Sequence, residues 1–194
     1  MDTRTAILNA AVQVFSQHGF RGSTTRRIAD AAEVNEVTIF RYFGSKEALL
    51  QEAINASDVR STIKALPADP EDPYSELSEW ADAVVTHLKD RRSVIRKCMG
   101  ELEERPELTA RAADFPTRAT RELCDYFNRL KELGFTKEEF DPTVASSMFI
   151  ASLFHDAMGR EMMPEIFPKP ENTAPASYAQ MVLRAIGVKR APVS

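Results

Sequence analysis

The chain has 194 residues, 43% of them hydrophobic and 28% charged, and a formal net charge of −4. That much apolar material builds one or two globular cores and excludes a wholly disordered chain, while the acidic balance excludes a protein that coats nucleic acid over its entire surface. The longest unbroken apolar run covers only residues 148–151, far below the roughly 18 residues of a membrane-spanning helix.

The amino terminus has no basic start followed by a continuous apolar stretch and a small-residue cleavage site, so a secretory signal is not expected and the cytoplasm is. Cys98 and Cys124 form neither a disulfide framework nor a metal-ligand pattern; both are expected to be buried thiols, with no metal and no cofactor. The charge is unevenly spread. Residues 1–46 carry six basic against four acidic side chains, a net of +2, which leaves −6 for the remainder.

Apolar spacing predicts helices throughout, about nine in an all-α chain. Leu8, Ala11, Val12 and Phe15 give a first helix over about residues 3–18, ended by Gly19 with Phe20 as its apolar contact. Thr24 or Thr25 caps a second helix with Ile28, Ala29 and Ala32 inside. Asn35 caps a third with Val37, Ile39 and Phe43 as its buried positions, and Ser45 caps a fourth carrying Leu49, Leu50, Ala53 and Ile54. Proline is absent before Pro67 and then clusters at 67–73, which reads as a linker.

Beyond that linker the stripes run over 76–89 and 94–102. Pro106 suits the first turn of a further helix, which Pro116 is expected to interrupt before Leu123, Tyr126, Phe127, Leu130 and Leu133. Residues 142–159 are apolar nearly all round, so that helix must be covered on both sides. Prolines between 164 and 175 mark a long loop before a last helix over 177–187.

Thr24 to Leu50 carries the chemistry. Two short helices joined by a three- or four-residue turn are the helix-turn-helix arrangement, whose second helix enters the major groove. Its outward positions fall to Asn35, Glu36, Thr38, Phe40, Arg41 and Tyr42, an unusual mixture of hydrogen-bonding and aromatic groups for a purely structural helix.

Thr24, Ile28, Ala29, Ala32, Val34, Thr38, Ile39, Phe43, Ser45, Lys46, Glu47 and Leu49 match, in register and without a gap, the pattern T-x-x-x-I-A-x-x-A-G-V-S-x-G-T-L-Y-x-H-F-x-S-K-E-x-L. Over about residues 4–54 the chain thus resembles the tetracycline-repressor (TetR) family of bacterial transcription regulators. The resemblance implies a helix-turn-helix domain at 1–50 and a helical effector-binding and dimerisation domain at 51–194. Three departures stand out: Glu33 where the family has glycine in the turn, Phe40 for the usual tyrosine, and Tyr42 for the usual histidine.

On this reading Arg26, Tyr42, Lys46 and the helix start at Thr24 and Thr25 contact phosphates, while Arg41, Thr38 and Asn35 lie nearer base edges. Phe40 shares that surface without a donor. Glu36 is either an exposed first-turn carboxylate, the preferred reading, or an acceptor from a cytosine amino group.

One such unit touches few base pairs, so a homodimer on a palindromic operator in double-stranded DNA is expected. Ala151, Phe154, Met158, Tyr178, Met181 and Val182 on the last two helices are the candidate interface; periodicity alone leaves a central core helix equally open. The resemblance also implies a small-molecule effector, for which Trp80, Val84, Met99, Phe115, Tyr126, Phe127, Met148 and Phe149 are candidate pocket walls. Two other classes fit the residues less well. An enzyme using a cysteine and a histidine lacks every phosphate-loop, metal and nucleophile motif, and a carrier that never touches DNA leaves the face around Arg41 unexplained.

Overall fold

The computed structural model describes residues 2–59, 63–105 and 114–189, and among them it is all-helical, with nine α-helices, two short 3-10 turns and no strand. The chain divides into two compact units, Met1–Ser61 with Arg91–Phe115, and Thr62–Asp90 with Pro116–Ser194.

The first unit begins with α1 (Thr3–Gly22), capped by Asp2, whose carboxylate accepts from the Thr5 N–H at 2.8 Å. Gly19 breaks it at φ 65°, ψ −172°, a conformation that costs a residue without Cβ little, and the chain resumes as a short turn carrying the buried Phe20. Then follow α2 (Thr25–Ala31), α3 (Glu36–Phe43) and α4 (Lys46–Val59). Ile7, Ala11, Phe15, Ile28, Ile39, Leu49 and Leu50 have no exposed surface, and each such large side chain contributes about 1.5–3 kcal/mol of burial free energy. The same core takes Val94 and Cys98 from α6 (Arg92–Gly100), so α6 packs on α1 although about 70 residues separate them along the chain. A functional division at residue 50 remains a proposal; the compact units do not follow it.

The second unit is built from α5 (Pro73–Asp90), α7 (Asp114–Glu132) from Pro116 onward, α8 (Pro142–Gly159) and α9 (Ala174–Ala185). The α5 stripe Leu77, Trp80, Ala81, Val84, Val85 and Leu88 is buried and packs against α8 and α9. Pro116 sits in the first turn of α7, where an imino nitrogen gives up no helical hydrogen bond. The expected helix start at Pro106 lies outside the described residues.

The proline cluster at 67–73 is not a free linker. Arg129 donates to the Ala68 carbonyl at 3.1 Å and pairs with Asp69 at 2.9 Å, Glu122 accepts from the Leu66 N–H at 2.6 Å, and Glu76 accepts from the N–H groups of Glu71 and Asp72. The 164–175 loop carries the turns Pro164–Ile166 and Glu171–Thr173. Beneath it lies a buried ion pair. Arg160 donates to both oxygens of Asp156 at 2.6 and 2.5 Å and to the Pro168 carbonyl at 2.9 Å, and the Tyr178 hydroxyl donates to Asp156 at 2.9 Å.

Candidate nucleic-acid interface

The α2–α3 geometry follows from local chemistry. Thr24 Oγ1 accepts from the Arg27 N–H at 3.2 Å and starts α2; Asn35 Oδ1 accepts from the Val37 N–H at 2.9 Å and starts α3. Between them the Val34 N–H donates to the Ala29 carbonyl at 3.0 Å and the Glu33 N–H to the Asp30 carbonyl at 3.2 Å. Those two bonds are the Schellman closure, which requires a left-handed residue between them, and Glu33 takes that place at φ 55°. The turn therefore keeps its glycine-type geometry with a glutamate in it. Ser45 Oγ then caps α4 by accepting from the Ala48 N–H at 3.1 Å.

Ile39 and Phe43 pin the back of α3 in the core, leaving Asn35, Phe40, Arg41 and Tyr42 exposed. Arg41 stands over the Tyr42 ring at 5.5 Å. Thr38 is half-buried. Val37, expected in the core, is 72% exposed: two positions before the buried Ile39 on a helix, it lies on the opposite side.

Of the residues expected at phosphates, Thr24 and Arg26 are exposed, whereas Thr25 is half-buried and its hydroxyl donates to Glu36. Glu36 is thus not the freely exposed carboxylate expected; it is half-buried and tied across the two helices. Lys46, expected to stand open for a phosphate, donates to the Phe20 carbonyl at 3.1 Å. Neither bond has a sequence signal, since each joins residues from different helices.

On the second unit, Trp80, Val84, Tyr126, Phe127 and Phe149 are buried, with the Trp80 and Phe149 rings 6.4 Å apart. The Trp80 indole donates to Glu122 at 3.2 Å and the Tyr126 hydroxyl to Glu76 at 2.6 Å. Burial, chiefly, and that bond hold the Tyr126 phenol far above the usual tyrosine range. Two expected wall residues fall elsewhere. Met99 is 57% exposed on the first unit, one helical step beyond the inward Cys98, and Phe115 is buried in that same unit. Met148 is 67% exposed, on the side of α8 away from Leu153.

Met148 instead lines an open groove of about 360 Å³ between α8 and α9, together with Val144, Ser152, Tyr178, Met181 and Val182. On α8 Val144, Met148 and Ala151 are exposed, as is Met181 on α9, so the described residues of a single chain cover the helix that is apolar all round on one side only. Among the residues expected at an interface, Phe154, Tyr178 and Val182 are half-buried and Met158 is buried within its own unit, because its position on α8 faces inward with Ala157. Cys98 is buried as expected, and burial pushes its thiol up to about 11; Cys124 is only half-buried, 3.9 Å from the Thr143 hydroxyl. No helix among the described residues is long and apolar enough to cross a membrane.

Residues 7–53 match the sequence profile of the bacterial regulatory proteins of the tetR family. The chain is 29% identical over 133 residues to the uncharacterized HTH-type transcriptional regulator YvkB of Bacillus subtilis, spanning 68% of this chain and 69% of that one. Over 80 residues it is 42% identical to the HTH-type transcriptional repressor NicS of Pseudomonas putida, 39% of this chain and 38% of NicS. The fold superposes with a TM-score of 0.76 and 19% identity on a crystal structure described as a TetR-family transcriptional regulator from Mesorhizobium loti, over 96% of this chain and 97% of that one.

Proposed function

This chain belongs, by its amino-terminal domain, to the TetR family of bacterial transcription regulators, and from that premise we propose that it is a homodimeric, cytoplasmic repressor that leaves its operator when a small molecule binds the second unit. The observation that carries the reading is the α3 surface: a helix pinned behind by Ile39 and Phe43 presents Asn35, Phe40, Arg41 and Tyr42 outward beside the exposed Arg26. Such a surface suits a major groove, with Arg26 and Tyr42 at phosphates and Arg41 nearer base edges. The exposed apolar strip Val144, Met148 and Met181 supports pairing of two copies, since it is the kind of patch a lone soluble chain leaves uncovered only for a partner. The repressor sense is supported by NicS, a relative named as a repressor.

In the free dimer two reading heads would sit about one helical turn of DNA apart, and an effector would favour a form whose spacing no longer fits. A preference of about 1–3 kcal/mol for that form gives a useful response. An enzyme built on Cys98 is disfavoured, because a thiol buried and raised to about 11 yields almost no thiolate at neutral pH.

Incubating the purified chain with fragmented genomic DNA and sequencing what it retains tests the reading. Enrichment of fragments with an inverted repeat, released by one compound from a metabolite set, is the expected result. Retention of no fragment above background overturns it.

A further inference from the structure

The first turn of α3 holds Val37, which the phosphate and base assignments above leave without a role, and Glu36, whose exposed-carboxylate reading the Thr25 bond removes. Val37 is 72% exposed, while the branched aliphatic residues Ile28 and Ile39 of the same two short helices have no exposure at all. Glu36 precedes it with its Oε1 engaged by the Thr25 hydroxyl, and its Oε2 has no partner among the described residues. Phe40 continues this outer surface one turn on, 49% exposed.

A branched side chain is stiff about χ1, so Val37 offers a fixed apolar surface rather than a mobile one. The apolar feature of the major groove is the thymine 5-methyl group. A carboxylate so placed meets repulsion from phosphates; of the two amino donors in the major groove, adenine N6 lies beside the N7 acceptor, so cytosine N4 is the one that suits an acceptor-only side chain. The Thr25 bond holds the Glu36 carboxylate in one orientation with its second oxygen still able to accept.

Resting on the DNA-binding reading, we infer that Glu36 and Val37 set the operator sequence, Glu36 accepting from a cytosine amino group and Val37 packing on a thymine methyl in each half-site. The purified 194-residue chain, selected against a randomised duplex pool, then enriches half-sites with one fixed cytosine and one fixed thymine. Replacing that thymine by deoxyuridine, which lacks only the methyl, weakens wild-type binding about fourfold per half-site. Val37→Ser binds the two duplexes alike. Glu36→Gln shifts the selected cytosine to adenine, because an amide donates to and accepts from adenine where a carboxylate only accepts.

The deoxyuridine comparison uses the unaltered protein and so holds even if a variant folds poorly. If the wild type selects a half-site but binds every single deoxyuridine replacement as tightly as the parent, and Glu36→Gln selects the same sequence, this inference is overturned while DNA binding stands. If the wild type enriches nothing, the DNA-binding reading itself fails and the inference with it.

Discussion

The Lys46 ammonium donates to the Phe20 carbonyl at 3.1 Å and stands 3.9 Å from the centre of the same residue's ring. The Arg105 guanidinium also lies 3.7 Å from the centre of that ring, and the Glu101 carboxylate accepts from the Phe20 N–H at 3.3 Å. Phe20 is therefore the point where the starts and ends of α1, α4 and α6 are tied within the first unit.

Lys46 is thereby tied into the first unit, a role that mutation separates from that of the exposed Arg26. Lys46→Ala removes a partly buried cation–π contact and a charged hydrogen bond, and should lower stability by about 1 kcal/mol. Arg26→Ala, at an exposed position, should leave the melting curve unchanged and reduce the salt slope of DNA binding by about 1. Thermal melts and titrations at several salt concentrations check both; equal stability loss in the two variants contradicts the distinction.

Glu33 sits at φ 55° in the turn between α2 and α3, where any side chain with a Cβ is strained by roughly 1–2 kcal/mol. Glu33→Gly relieves that strain and gives back part of it in unfolded-chain entropy, for a net gain of about 0.5–1 kcal/mol. The melting temperature should rise by about 1–4 °C, and Glu33→Val should lower it. A lower melting point for the glycine variant would mean the glutamate side chain holds the turn.

Asp156 and Arg160, 2% and 8% exposed, are paired at one i,i+4 step of the α8 end. Asp156→Asn leaves a buried guanidinium without its counter-charge and should cost about 3–5 kcal/mol. Tyr178→Phe removes one bond to the same carboxylate and should cost about 1 kcal/mol. Burial, chiefly, and that bond push the Tyr178 phenol up to about 12, so the stability it contributes is complete below pH 10 and is lost between about 10 and 12. Denaturant melts across that window should lose this step in Tyr178→Phe.

Much of this was legible in the residues because local chemistry dictated it. The caps at Thr24, Asn35 and Ser45 and the stop at Gly19 need only a side chain and its own next turn, and each forms where the sequence predicts, with Thr24 rather than Thr25 starting α2. What the sequence concealed is long-range or a matter of side. Nothing in Val94 or Cys98 says that α6 belongs to the core of α1, and an apolar stripe does not say whether Met148 faces inward or outward. At the candidate interface, Asn35, Arg41 and Tyr42 could be read from the helix-turn-helix spacing, whereas the Thr25–Glu36 and Lys46–Phe20 bonds depend on how separate helices meet.

The two cysteines should differ in reactivity. At pH 8 an alkylating reagent should label the half-buried Cys124 and spare Cys98, which is 4% exposed with its thiol raised from 9.0 to about 11 by burial. A raised folded-state value means that the neutral thiol favours the folded form: this contribution is intact below pH 9 and disappears as pH climbs to about 11. Mass spectrometry of labelled peptides checks the first statement. The second predicts that Cys98→Ala flattens the loss of stability between pH 9 and 11, and an unchanged pH profile contradicts it.

Met181 on α9 is 68% exposed and shares the open groove with Met148, so a charge placed there meets solvent within a single chain. Met181→Glu should therefore melt within about 0.5 kcal/mol of the parent. Across a self-complementary interface the same change buries two like charges beside their own symmetry copies, and the dimer should dissociate. Phe154→Glu differs, since Phe154 is half-buried in its own unit and the variant should lose stability as well. Light scattering that found Met181→Glu still dimeric at micromolar concentration would place the contact between copies elsewhere on the molecule, and operator binding by a monomeric Met181→Glu should fall from two half-sites to one.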